Sequence, residues 1–185
     1  METLIIFVIA LGLAMDCFAI AISNSAISGK VKPGIPLKTA IAFAFSHLVM
    51  LFAGFWLGQA VGRWFEGIEQ WVAIIIFLII GSKMIIEARK RQPKTKVFDI
   101  NAGRVIVVLS IATAMDAFLA GVALGITGME VWLAALLVTI SVFIFTLTGL
   151  AGGKNFGMAF AKNIAITGGI FILMAAASFL SQLFL

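Results

Sequence analysis

The stretch Ala14-Met15-Asp16-Cys17-Phe18-Ala19 lies inside an apolar N-terminal run. One hundred residues later it returns as Ala114-Met115-Asp116-Ala117-Phe118-Leu119. Each copy puts a carboxylate in the middle of a segment long enough to cross a bilayer. A charge at that depth costs about 3 kcal/mol on insertion scales. Two such charges at matching places call for a function and for a fold that shelters both. A cation pathway between two related halves meets both demands.

The rest of the chain is similarly apolar. Its 185 residues are 63% hydrophobic and 11% charged, where a soluble domain carries roughly a quarter charged residues. Lipid is therefore the solvent for most of it. A net charge of +5 would suggest nucleic acid as the partner of a soluble protein. Here the cations fall in loops, where the positive-inside rule accounts for them, and no nucleic-acid partner is expected. The single cysteine, Cys17, excludes an intrachain disulfide and disfavours a thiol–disulfide carrier. One histidine and no nucleophile–base constellation predict neither an enzyme nor a cofactor. The flank Met1-Glu2 is not basic, and the apolar run behind it is too long for a signal peptide, so it reads as a retained first span.

A bilayer core about 30 Å thick needs about 20 apolar residues of helix. Six windows qualify, at roughly Leu4–Ser23, Thr39–Val61, Gln70–Ala88, Val105–Leu124, Val131–Leu150 and Ile164–Leu185. Backbone groups cannot go unpaired in lipid, so the windows predict helices. Eleven of the thirteen basic residues fall in the first, third and fifth connections, while Arg63 alone lies in the others, with Glu66, Glu69 and Glu130. This asymmetry puts both termini outside and the basic loops in the cytoplasm of an inner-membrane protein. Four tryptophans, Trp56, Trp64, Trp71 and Trp132, gather toward the outer ends as interface anchors.

The halves repeat beyond the Asp motif. Gly54, Gly58 and Gly62 in the second window match Gly149, Gly153 and Gly157 in the fifth. Each half has three spans, so the second enters the membrane in the opposite sense, an arrangement that secondary transporters use to build a site between halves. The expected fold is an all-α polytopic membrane protein of six transmembrane helices in two inverted three-helix repeats. The first repeat covers 1–92, a basic cytoplasmic linker 93–103, and the second repeat 104–185. Asp16 and Asp116 then converge on the bilayer midplane.

Around Asp16, Gly12, Ala19 and Ser23 share its face; around Asp116, Ala112, Ala120 and Ala123 do likewise. Small residues let helices approach closely in lipid. Two carboxylates across such an interface share a proton or hold a cation between them. A hard divalent ion such as manganese suits carboxylate, carbonyl and water ligands. His47, in span 2, is a metal ligand, a proton acceptor or a packed polar residue. Thr113, close to Asp116, offers a hydroxyl to complete a shell, although Thr in membrane helices more often bonds its own backbone. The glycine ladders read as packing faces, with Gly12, Gly121 and Gly125 as points where a helix can unwind. Cys17 reads as packing, and Asn24 and Asn155 as caps or turns. Lys83 and Glu87 are spaced as an i, i+4 ion pair that snorkels at the end of span 3.

The two Ala-Met-Asp-Cys/Ala-Phe motifs, the stretch Gly81-Ser82-Lys83-Met84-Ile85-Ile86-Glu87 and the basic central loop resemble the bacterial manganese efflux pump family, within the lysine-exporter-like superfamily. The resemblance covers the whole chain. It implies export of Mn²⁺ from the cytoplasm, with Asp16 and Asp116 as metal-binding residues. It also implies an acidic residue in span 2, where this chain has Phe45-Ser46-His47-Leu48. Imidazole in place of carboxylate softens the site and opens it to Zn²⁺, Co²⁺ or Ni²⁺.

The function expected is secondary export of a divalent cation, most simply Mn²⁺ as substrate. Asp16 and Asp116 bind it, with His47 and Thr113 as further metal ligands. The expected partners are that cation and the lipid bilayer, with a homodimer as a candidate assembly. The alternatives are an exporter of a cationic amino acid and a non-transporting membrane scaffold.

Overall fold

The structure is a computed structural model that describes residues 2–28, 34–62, 64, 67–90 and 102–184. Among these every regular element is a helix: α1 Glu2–Ser28, α2 Ile35–Gly62, α3 Glu69–Lys90, α4 Gly103–Thr113, α5 Met115–Thr127 and α6 Val131–Phe184. The expected basic linker falls outside the described residues, apart from Ala102 and Gly103, as do Lys30, Lys32, Arg63 and Glu66.

Six stretches are long and apolar enough to cross a membrane: span 1 Glu2–Ala26, span 2 Ile35–Gly62, span 3 Glu69–Lys90, span 4 Gly103–Thr127, span 5 Val131–Gly153 and span 6 Ala159–Leu180. They match the six predicted windows, and the chain is an all-α, multi-pass membrane protein. Within α6, spans 5 and 6 are two helices divided by a kink at Gly157 (φ 69°, ψ 172°). That backbone region is open almost only to glycine. Gly157 is thus a turn and not the last rung of a packing ladder, and a Cβ there would meet nothing within 4 Å.

The helices run past the apolar windows because their polar ends satisfy themselves. Ser23 Oγ donates to Ala19 O at 2.7 Å and Asn24 Nδ2 to Ile20 O at 3.0 Å. Asn24, read from the sequence as a cap or turn, is therefore interior to α1. Ser25 Oγ donates to Leu150 O at 2.9 Å, tying span 1 to span 5. The side chain of Asn155 lies outside what the structure describes.

Span 1 is the central helix. In its most apolar window 61% of residues are buried inside the bundle, against 39–44% for the other spans. It packs chiefly on α6, while α2 packs chiefly on α5. Leu13, Cys17, Phe43, Leu51, Phe77, Leu124, Ile172 and Phe179 form one continuous core. Phe45, Trp56, Val108, Leu136 and Ile144 point outward, as they must where the solvent is hydrocarbon.

Candidate cation site

Lipid gives no hydrophobic drive for helices to associate, so close packing must bring the site together. Glycines supply it. A Cβ at Gly54 or Gly58 of span 2 would run into the carbonyls of Phe118 or Val122, and one at Gly121 or Gly125 of span 4 into those of Leu51 or Phe55. The two spans therefore touch backbone to backbone, a geometry in which Cα–H···O contacts each contribute about 0.5–1 kcal/mol. Gly149 and Gly153 bring span 5 against Phe18, Ala21, Ile22 and Ser25 of span 1. Gly168 meets Gly12, and Gly169 meets Gly81, so span 6 is wedged between spans 1 and 3. Gly12, Gly121 and Gly125 are contact points within unbroken helix rather than places of unwinding.

Span 4 is distorted instead at Ala114 (φ −75°, ψ −5°), between α4 and α5, where the helical hydrogen bonds are nonetheless kept. Its N–H donates to Ser110 O at 3.1 Å, and its carbonyl accepts from Phe118 N at 3.0 Å. Asp116 follows two residues later, in the first turn assigned to α5 and inside the continuing span 4. Asp116 is buried, 7% exposed. Asp16 is the fifteenth residue of the 27-residue α1 and is partly buried. The two carboxylates are near enough to interact electrostatically.

Lys83 enters the same space. Its Nζ lies 2.6 Å from Asp116 Oδ1, an ion pair between spans 3 and 4. The sequence-based expectation that Lys83 pairs with Glu87 is thus corrected. Glu87 is within electrostatic range, but the ammonium bonds to the carboxylate that lacks water. Position was the available signal. Lys83 lies about two turns inside the end of span 3, and the argument that singled out the two aspartates applies equally to an intramembrane cation.

His47 is 1% exposed. Its Nδ1 lies 2.8 Å from Phe43 O. A carbonyl only accepts, so Nδ1 carries its hydrogen and Nε2 of the neutral ring is the acceptor. Nε2 faces Cys17 Sγ at 3.4 Å. Cys17 is therefore not mere packing: its thiol donates to the imidazole and joins span 1 to span 2. The Cys17 sulfur is also within electrostatic range of Asp16 and Asp116. Thr113 Oγ1 donates within its own helix, to Leu109 O at 3.0 Å and Ser110 O at 3.1 Å. Ser46 Oγ donates to Ser110 Oγ at 3.0 Å, a polar link between spans 2 and 4.

Spans 1 to 4 therefore contribute Asp16, Cys17, His47, Lys83 and Asp116 to one polar neighbourhood inside an apolar bundle. Among the described residues no group of three or more His, Cys, Asp or Glu side chains is drawn together tightly enough to cage a metal ion. At one end of the bundle a cavity of about 300 Å³ is lined by Glu2, Glu69, Gln70, Thr127, Gly128 and Met129, among others.

The family described as "Putative manganese efflux pump" matches residues 30–180. A protein of Crocosphaera subtropica named "Putative manganese efflux pump MntP" is 32% identical over 182 residues, covering 98% of this chain and 97% of the relative. Proteins of the same name from Methanothermobacter thermautotrophicus and Syntrophotalea carbinolica are 30% and 29% identical, each over 94% of this chain and 93% of the relative. No solved structure matches the chain.

Proposed function

Since the chain belongs to the manganese efflux pump family, we propose that it is a secondary transporter that exports Mn²⁺ from the cytoplasm across the inner membrane. The observation that carries this reading is the pair Asp16 and Asp116, each mid-span, each among small residues, and near enough to feel one another's charge. A divalent cation is the natural complement of two carboxylates at low dielectric. Oxygen donors suit manganese. Asp16 and Asp116 bind the ion, and Thr113, whose hydroxyl keeps its lone pairs while donating within its own helix, is the candidate for a further oxygen ligand. His47 joins the shell only by giving up its contact with Cys17, because Nε2 is its one available lone pair.

The two-repeat architecture belongs to the same proposal, with 1–92 and 104–185 as the halves. Its support is reciprocity. Span 2 packs by Gly54 and Gly58 on the Asp-bearing span 4, and span 5 packs by Gly149 and Gly153 on the Asp-bearing span 1. A pseudo-two-fold axis relating the halves requires that exchange. Alternating access then follows from rocking one half against the other. With both termini outside, the cavity beside Glu2 and Glu69 opens at the outer face, where an acidic mouth suits a departing cation.

A second reading has one observation in its favour. The ammonium of Lys83 already rests on Asp116, the contact that an exporter of a cationic amino acid would make with its substrate. The test is uptake of Mn²⁺ into inverted membrane vesicles, with lysine as competitor. Export of manganese predicts uptake that lysine does not inhibit and that Asp16→Asn and Asp116→Asn each reduce at least tenfold. Uptake by either variant equal to the parent's removes the site assignment.

A further inference from the structure

The Lys83–Asp116 pair raises a question of charge that the proposed transport leaves open. Asp16, Asp116 and Lys83 together carry one negative charge in the absence of metal. With a divalent ion bound and the ammonium still in place, the site would be net positive in a low-dielectric bundle. With the ammonium withdrawn it is neutral. Without either cation, the buried carboxylate of Asp116 would lose its ion pair with the charge of Asp16 still in range, which burial penalises heavily.

The geometry makes this exchange direct. The side chain of Lys83 is 42% accessible and that of Asp116 is 9% accessible. Lys83 is thus the more accessible partner of the pair, and it occupies Oδ1 of the carboxylate. The backbone beneath is fixed: Gly81 packs on Gly169 and Leu173 of span 6, and Gly168 of that span meets Met84. The four-carbon stem of lysine is what moves, and its compact ammonium turns readily. Glu87, one turn further along span 3 and within electrostatic range, is the acceptor to which it withdraws.

Building on the manganese reading, we propose that Lys83 is an internal counter-cation that competes with the transported ion for Asp116. It offsets the charge of Asp116 in the empty site, leaves toward Glu87 when a divalent ion arrives, and returns when the ion departs. The empty carrier can then reorient as a compensated site. The ammonium also lowers the apparent affinity for metal, because every binding event must displace it.

The experiment compares purified parent, Lys83→Met and Lys83→Arg proteins in two measurements, Mn²⁺ binding at equilibrium and Mn²⁺ flux in proteoliposomes. Removal of the competitor in K83M should tighten Mn²⁺ binding at least tenfold while slowing steady-state flux at least tenfold, since the empty site can no longer return compensated. A merely structural lysine would weaken both. Arginine keeps the charge and holds a carboxylate with two hydrogen bonds, so K83R should bind Mn²⁺ several-fold more weakly than the parent. If K83M does not yield folded protein, K83R decides the matter. Mn²⁺ affinity unchanged or weaker in K83M, or unchanged or tighter in K83R, overturns the counter-cation role. A parent that neither binds nor moves Mn²⁺ overturns the manganese reading and this inference with it, whereas a parent that moves Mn²⁺ alongside an unaltered K83M overturns the counter-cation alone.

Discussion

His47 Nε2 lies 3.4 Å from Cys17 Sγ, and both side chains are sealed inside the bundle. One lone pair and one thiol hydrogen thus satisfy each other across spans 1 and 2, while Nδ1 is satisfied by Phe43 O. Under the proposed two-repeat architecture, the corresponding residues of the second half, counted from the Asp motif and the glycine ladder, are Ala117 and Val142, both fully buried and apolar. Under that architecture an apolar pair takes the place of the polar one in the second half.

Cys17→Ala should destabilise the protein by about 1–3 kcal/mol, the penalty for leaving a buried acceptor without a donor. Cys17→Ala combined with His47→Val copies the apolar pair of the second half and should recover most of that loss. Thermal unfolding in detergent of the single and double variants measures the coupling. Additive losses would mean that the two side chains do not interact.

Cys17 is 0% exposed, so the only thiol of the native protein should resist maleimide and react fully after denaturation. In a Cys17→Ala background, Glu130→Cys should label from outside intact cells, and Lys90→Cys only after permeabilisation. Labelling of Lys90→Cys in intact cells would reverse the proposed orientation.

Gly54→Ala and Gly121→Ala each set a methyl group against a backbone carbonyl of the facing helix. Backbone cannot step aside as a side chain can, so each should cost about 1–3 kcal/mol or more by overpacking. Spans 2 and 4 would separate, and Mn²⁺ flux should fall at least tenfold even though no ion-binding group has been altered. Gly103→Ala, at a position where nothing lies within 4 Å, is the control and should match the parent.

His47→Glu restores the carboxylate that the family resemblance implies for span 2. It should raise the preference for Mn²⁺ over Zn²⁺ at least fivefold in a competition assay, because it exchanges a softer nitrogen ligand for a hard oxygen. Thr113→Val should change Mn²⁺ flux by less than about twofold if its hydroxyl serves only the carbonyls of Leu109 and Ser110, as its hydrogen bonds suggest. A large loss would assign Thr113 to the ion.

Much of the fold was legible because lipid is a severe solvent. An apolar run of about 20 residues has almost no alternative to a helix, so hydropathy located all six spans within a few residues. The misjudged ends followed from local satisfaction: Ser23 and Asn24 bond back to their own helix, so α1 continues past its apolar window. The distortion at Ala114 was not legible. No glycine or proline stands there, and the residues with the freedom to unwind, Gly121 and Gly125, are spent on contact with span 2.

The candidate site divides in the same way. Asp16 and Asp116 stood out from the sequence alone, because an intramembrane carboxylate is costly wherever its helix is placed, and its cost does not depend on knowing its neighbours. The partners of Lys83, Cys17 and His47 depend on which helices touch and at what rotation. Sequence periodicity offered Lys83 the carboxylate one turn away, Glu87. The bundle offered it Asp116, thirty-three residues distant and shielded from water, where an opposite charge is attracted more strongly. The sequence by itself determined six membrane helices and two buried negative charges. Only the tertiary structure decided what pairs with Asp116, because a short-range contact between side chains is fixed by the close packing of glycine-lined helices and by nothing encoded along any one of them.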